Sequence, residues 1–405
     1  MVGVPKKKNE DHPVLKNAYL FYKRINELTA KHSNPKEDFF GAAPNLFVGK
    51  YGYPNINVGI LSNENVDKEY DDPKIWYGKG FDIPKIVTMR SMLINSNFRS
   101  NIRSFNDRLF EITRDVALAK KPVDVEINLE KKPKYKLEVS PDITPYGPTI
   151  KMKKAAITEN PHIPTKIDKV YSQDDMKATD AIDYLSKHDF DEHYLTKLLS
   201  AGTIGLKTGR KLVPTRWSIT AVDDNLGKRN LKKIRDFSNH MDYRVYSGDY
   251  MGNYYIILFF PDVWSYELFE SYMPNEAWKL KELKTFTDYE GLGGRKEYAY
   301  NTVGGYYAAR LPVTELLVNE KRQGAALLLR FITDDYWVPL GVWVVRQTVR
   351  STLSNKPLEF GSKELMLKYV KALVKKKFGF NVENLLNKSK LLKNMKNQTK
   401  LASFF

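Results

Sequence analysis

Val123-Asp124-Val125-Glu126-Ile127-Asn128-Leu129 alternates apolar and polar residues at every step. Successive side chains of a strand point to opposite faces, so this stretch reads as a strand with one face in a core and one in water. Just before it the period changes. Phe105, Leu109, Ile112 and Val116 form the stripe of an amphipathic helix, Ser104 with Asp107 three residues on supplies an N-cap, and Pro122 stops it. A helix running into a strand, with Tyr135–Val139 expected as that strand's hairpin partner, sets the class as mixed α+β.

Working outward, Pro13 to Lys31 reads as a helix carrying Leu15, Tyr19, Tyr22 and Leu28. Leu46–Val48 and Ile56–Leu61 read as strands within a Gly- and Pro-punctuated, turn-rich stretch that begins at Phe39. Residues 141–168, rich in Pro and Lys, read as a long surface loop. Ser172 is expected to cap a helix carrying Ala178, Ala181, Ile182 and Leu185. A second helix runs from Asp191 through Leu195, Leu198 and Leu199 to Gly202. A basic hairpin over Leu206–Leu212 follows, with Thr208-Gly209 as its turn. Tyr254–Phe260, Ala325–Phe331 and Val342–Val345 read as buried strands, and Ser362 caps a last helix through Leu373. The expected organisation is an N-terminal basic segment and helix (1–35), an α+β region (36–170), a winged-helix-like unit (171–220), a second α+β region (221–380) and a flexible basic tail (381–405).

Composition narrows the function. The 405 residues carry 65 Lys and Arg against 48 Asp and Glu, a net charge of +17 that suits a polyanionic partner such as DNA. Apolar residues at 42% and aromatics at 13% are ample for a core. There is no cysteine, which excludes disulfides, thiolate nucleophiles and Cys-based zinc sites. Six histidines without ligand spacing read as structural or surface groups. No apolar run is long enough to span a bilayer and no targeting segment is visible, so no membrane partner is expected and the location reads as cytoplasmic and chromosome-associated. Residues 361–405 hold eleven lysines against Glu364 and Glu383, a bias that suits either a nucleic-acid arm or a solvated tail.

The most specific motif is Gln398-Thr399-Lys400-Leu401-Ala402-Ser403-Phe404-Phe405. Gln, an aliphatic residue three on and two aromatics six and seven on resemble the PCNA-interacting (PIP) peptide that docks proteins on the sliding clamp. One 3₁₀-type turn brings those positions to one side, so Leu401, Phe404 and Phe405 form an apolar plug with Gln398 at its rim. The competing reading is a tail packed on its own core. In the winged-helix-like unit, Lys207, Arg210, Lys211 and Arg216 would contact phosphate, although two helices and a hairpin also occur where no DNA is bound. Asp223, Asp224, Asp288 and Glu290 could hold Mg²⁺ or Mn²⁺ if they converge, with Arg295, Arg310 or Arg346 stabilising phosphate charge; exposed caps and turns are the alternative.

These segments together resemble the Nre group of archaeal DNA repair proteins. The resemblance rests on Phe39-Phe40-Gly41-Ala42-Ala43-Pro44, Phe47-Val48-Gly49-Lys50-Tyr51-Gly52-Tyr53-Pro54, Leu198-Leu199-Ser200-Ala201-Gly202, the run Leu212 to Asp224, Asp288-Tyr289-Glu290-Gly291, Gly304-Gly305-Tyr306-Tyr307-Ala308-Ala309-Arg310 and Gly341-Val342-Trp343. It implies a role in repair of damaged DNA and a C-terminal clamp-binding peptide. It assigns no catalytic residues. Many similar proteins open with a cysteine cluster that looks like a zinc module, whereas Asn9-Glu10-Asp11-His12-Pro13 has none. The expected function is thus a clamp-recruited repair factor, with a metal-dependent nuclease or other nucleic-acid-processing enzyme, or an adaptor without DNA contact, as rivals.

Overall fold

The computed structural model describes residues 36–397 apart from 105–107, 135–136, 140–142, 240–241 and 275–279. The expected helix of residues 13–31 and the peptide 398–405 lie outside the described residues. The described residues divide into two compact units, one holding 36–226 with Val338–Val342, the other Gly227–Trp337 and residues 343–397.

The first unit is built on a closed five-stranded barrel of β1 (Asp38–Val48), β2 (Asn55–Asn63), β3 (Ile94–Asn101), β4 (Val123–Leu129) and β5 (Thr149–Ile157), in the order β1-β2-β3-β5-β4. β1, β2 and β3 form an antiparallel meander, β3 pairs parallel with β5, and β4 closes antiparallel onto both β5 and β1. Helices α1 (Pro73–Gly78) and α2 (Ile83–Met92) are inserted between β2 and β3, and α3 (Arg108–Leu118) lies between β3 and β4. This strand order with a helix between β3 and β4 is that of an OB-fold barrel. Alternation fills it: Val123, Val125, Ile127 and Leu129 point inward with Val58, Ile60 and Phe98, and Phe110 and Val116 of α3 join the same core.

Several expectations change here. β4 is the strand the alternation predicts, but its partners are β1 and β5, and of the expected hairpin partner the described residues 137–139 carry an isolated Glu138–Tyr146 bridge. Residues 141–168 are not one loop, because β5 closes the barrel from within them. Of the turn-rich stretch, Phe39 to Pro44 is strand, with Ala43 buried and a register shift between Ala42 and Asn45 absorbing Pro44, while residues 51–54 form the expected turn.

Helices α4 (Thr165–Ser172), α5 (Ala178–Ser186), α6 (Glu192–Ser200) and α7 (Thr215–Ile234) follow. Ser172 ends α4 instead of capping α5. Asp191 caps α6 as expected, its carboxylate accepting from the Tyr194 N–H, and Gly202 takes φ +66° just beyond. The winged-helix-like unit lacks its wing: Lys207–Gly209 form one 3₁₀ turn and no strand pairs across Leu206–Leu212.

The second unit is a six-stranded sheet of β7 (Tyr243–Tyr250), β8 (Asn253–Phe260), β9 (Ser265–Tyr272), β10 (Lys284–Glu290), β12 (Ala325–Ile332) and β13 (Leu358–Phe360), ordered β10-β9-β12-β8-β7-β13. A short parallel pair, β6 (Ser238–Asn239) and β11 (Arg322–Gln323), stands apart. The pairings in the sheet are antiparallel except β9 with β12, which are joined through α8 (Val303–Glu320). α8 and α9 (Trp343–Ser354) cover one face; α10 (Lys363–Phe378), α11 (Glu383–Lys388) and α12 (Lys390–Asn397) cover the other. Every residue of β8 and β12 is buried, as the continuous apolar runs predict. Val342–Val345 is an exception, since it opens helix α9 and is not a strand. Ser362 caps α10 as expected, but the helix runs past Leu373 to the Gly379 cap, and it is not the last helix. The tail expected to be flexible from residue 381 is helical to Asn397. The Glu267 carboxylate holds the start of α12, accepting from Ser389 Oγ at 2.5 Å and from the Lys390 and Leu391 N–H groups at 3.0 Å each.

Candidate functional site

The sheet face covered by α8 and α9 gathers four of the residues singled out for phosphate chemistry. Asp288 and Glu290 are two apart on β10 and so share a face, opposite Leu268 and Tyr266 of β9. Arg310 of α8 reaches Glu290, Nη1 to Oε2 at 2.8 Å, and Trp264 Nε1 donates to the other carboxylate oxygen at 3.2 Å. Asp288 accepts from Arg295 Nη2 at 2.9 Å and caps α8 by accepting from the Thr302 N–H at 2.8 Å and Thr302 Oγ1 at 2.9 Å. A third pair, Glu270 and Arg330, adjoins on β9 and β12 with 2.5 Å between Oε1 and Nη1. A Cβ on Gly305 of α8 would lie 2.4 Å from Glu270 Oε1, so a larger residue there would push the carboxylate that Arg330 holds.

Aromatic rings seal these charges. Tyr306 and Tyr307 flank the Arg310 guanidinium at 5.8 and 5.6 Å, and Tyr266 meets Tyr306 edge-on at 5.0 Å. Burial pushes the Tyr266 and Tyr306 hydroxyls well above their ordinary range. Glu290 and Arg310 are 2% and 0% exposed, so both are closed to solvent. The carboxylates are engaged by guanidinium groups and a helix N-terminus. Among the described residues no three His, Asp or Glu side chains are gathered as a metal would require. Arg346 is buried on α9. Asp223 and Asp224 lie on α7 within the first unit, Asp223 buried.

Lys207 and Arg210, expected on the wing, serve local structure. Lys207 Nζ meets Asp174 at 2.7 Å, and Arg210 donates to the Gly205 and Gln173 carbonyls while lying over Tyr171. Lys211 precedes Leu212, whose N–H donates to the Ile102 carbonyl at 2.9 Å. Arg216 stands in the first turn of α7 beside Thr215, whose hydroxyl accepts from the Val48 N–H.

The first unit also holds a cluster that spacing does not reveal. The Asp71 carboxylate is buried and bonded by Arg90 of α2, by Asn45 of β1 and by His193 Nε2 of α6 at 3.1 Å. Burial opposes ionisation of Asp71, but Arg90 and then His193 outweigh it and hold the carboxyl below its usual range. Burial likewise disfavours the His193 imidazolium, and Asp71 outweighs it, raising the ring above its usual value. One turn on, burial pulls the Lys197 ammonium down to about 8, and its Nζ donates to the Ala119 carbonyl at 2.9 Å. The result is a carboxylate-oriented imidazole whose side chain remains 32% exposed.

Comparison with known proteins decides the family. The profile described as "Archaeal Nre, N-terminal" matches residues 15–279, and "Archaeal Nre, C-terminal" matches residues 290–404. The chain belongs to the archaeal Nre family. This Nre chain is similar to DNA repair protein NreA of Haloferax volcanii, 37% identical with 78% of each chain covered. It is also similar to DNA repair protein NreB of Archaeoglobus fulgidus, 33% identical over 90% of this chain and 91% of the relative, and to NreA of the same organism, 36% identical over 79% and 81%. No solved structure matches the Nre chain. Among its described residues no helix is long and apolar enough to cross a membrane.

Proposed function

We propose that this Nre protein is a DNA repair factor that docks on the sliding clamp PCNA through Gln398, Leu401, Phe404 and Phe405 and holds DNA near the clamp through basic surface, acting at the chromosome in the cytoplasm. The observation that carries the reading is the terminal motif itself, with Gln, aliphatic and paired aromatic residues at the spacing one 3₁₀ turn requires. Relatives named DNA repair proteins support it. The C-terminal Nre profile runs to residue 404 and so includes three of the four motif positions. Glu267 holds the start of α12, and the motif follows in the chain directly after that helix ends at Asn397.

Lys211 and Arg216 are the phosphate contacts in this reading, with Lys207 and Arg210 contributing charge from a folded turn. Asp288, Glu290 and Arg310 then serve the interior of the sheet unit and not a metal-dependent reaction. Calorimetric titration of PCNA with the full chain and with a chain ending at Asn397 tests the docking. Equal affinity of the two would sink it.

A further inference from the structure

The end of the barrel where β1 turns into β2 presents aromatic rings to solvent and gathers positive charge. Tyr51 is 80% exposed and Tyr53 43% exposed. Large aromatic side chains at this exposure contribute little to packing. The loop bearing them is held in place: the Gly49 N–H donates to the Asn57 carbonyl at 2.8 Å, and the Asn55 N–H to the Gly52 carbonyl at 2.9 Å. Gly52 takes φ +80°, and a Cβ there would lie 2.9 Å from the Arg99 guanidinium of β3, so Arg99 passes directly beneath the loop. Trp217, in the first turn of α7, meets Tyr53 with ring centres 5.5 Å apart. Lys50 Nζ stands 5.0 Å from the Tyr51 ring centre.

Charge points the same way. Three separate segments meet here: residues 45–63, 94–104 and 211–222. β2 pairs with β3, the Ile102 carbonyl accepts from Leu212, and Val48 donates to Thr215. None of the three contains an Asp or Glu, whereas they carry Lys50, Arg99, Arg103, Lys211 and Arg216. Rings interleaved with cations and free of carboxylates match the stacking faces and backbone charge of an unpaired nucleic-acid strand. A duplex hides its base faces and offers rings nothing to stack on. In OB-fold barrels the β1–β2 loop and the β2–β3 face are well placed for such a ligand, but the fold alone assigns nothing, and the argument rests on these side chains.

We propose that Tyr51, Tyr53 and Trp217, with Lys50, Arg99 and Arg103, form a stacking platform for single-stranded DNA. The choice of DNA over RNA rests on the repair reading above; the platform itself is independent of the clamp peptide.

Fluorescence anisotropy with a labelled oligothymidine of about 15 nucleotides tests it on the full chain. The single strand should bind more tightly than a duplex of equal length. Tyr51→Ala/Tyr53→Ala should weaken single-strand binding at least about tenfold, and Tyr51→Phe/Tyr53→Phe should retain it, because stacking needs the ring and not the hydroxyl. Arg99→Ala should flatten the salt dependence by about 0.7 units in log–log slope. Tyr51→Ala alone, at a position too exposed to support the fold, should also weaken binding, and it carries the test should the double variant not fold. Duplex bound as tightly as single strand, wild-type affinity in Tyr51→Ala, or tighter binding of oligouridine would each overturn the proposal. A chain ending at Asn397 should bind oligothymidine unchanged and the Tyr variants should bind PCNA unchanged, so failure of the platform and failure of clamp docking read out separately.

Discussion

Arg310 and Glu290 form an ion pair closed to solvent, with 2.8 Å between Nη1 and Oε2 and side chains 1% and 0% exposed. Removing one partner of a buried ion pair is costly, because the other charge loses a counter-charge it cannot replace with water. Glu290→Gln takes the charge from the carboxylate 2.8 Å from the buried guanidinium and should lower the unfolding free energy of the chain by about 3–5 kcal/mol. Replacing both residues by apolar ones of similar volume should recover much of that loss. Denaturant titration followed by tryptophan fluorescence measures both. A single variant as stable as the wild type would show that the pair does not hold β10 to α8.

The Asp71–His193 pair predicts a pH window. The folded pKa of His193 lies above its ordinary 6.5, so its contribution to stability is full below pH 6.5 and is lost as pH rises through the folded value. The folded pKa of Asp71 lies below 3.8, so its contribution is present above that pH and is lost as pH falls through the folded value. The pair therefore stabilises most between about pH 4 and 6.5. Asp71→Asn removes the largest influence that raises the imidazole, and the His193 titration midpoint seen by NMR should fall. An unchanged midpoint would show that Asp71 does not hold the imidazolium.

Glu267 predicts a separable anchor. Glu267→Ala removes three hydrogen bonds to the start of α12, one from Ser389 Oγ and two from backbone N–H groups, and bonds to a charged acceptor are worth roughly 1.5–3 kcal/mol each. Limited trypsin digestion should then cut at Lys388, Lys390 and Lys393 at least about tenfold faster. Unaltered cleavage would mean that the apolar contacts of Leu385, Leu386 and Leu391 hold the segment without it.

Docking on PCNA should depend on the apolar plug. Burying Leu401 or either phenylalanine is worth roughly 1.5–3 kcal/mol, so Phe404→Ala/Phe405→Ala should lower clamp affinity at least about tenfold. Gln398→Ala should cost less, since it removes only rim hydrogen bonds. The melting temperature should not change in either variant. A fall in melting temperature would favour the peptide packing on the body of its own chain.

Local signals in this sequence were reliable where neighbours in the chain carry the whole physical cause. The alternation of Val123–Leu129, the start of α6 at Asp191 and its stop at Gly202, the apolar runs of β8 and β12, and the Ser362 cap of α10 agree with the structure, because period, capping and left-handed backbone are written within a few residues. Val342–Val345 differs from its expected strand because four apolar residues fit a buried strand and the first turn of a buried helix equally well. Tertiary structure alone decided the rest. The partners of β4 lie far away in β1 and on the next strand, β5, so barrel closure could not be seen in the alternation that defines β4. Asp71, Arg90 and His193 come from three distant segments, and Glu267 caps a helix starting 123 residues later. Asp288, Glu290 and Arg310 were legible as chemistry-bearing residues, but only the fold shows them buried and paired, since burial depends on what α8 covers. Tyr51 and Tyr53 are conspicuous in the chain, yet their exposure beside Arg99 and Trp217 follows from the barrel bringing three carboxylate-free segments to one end.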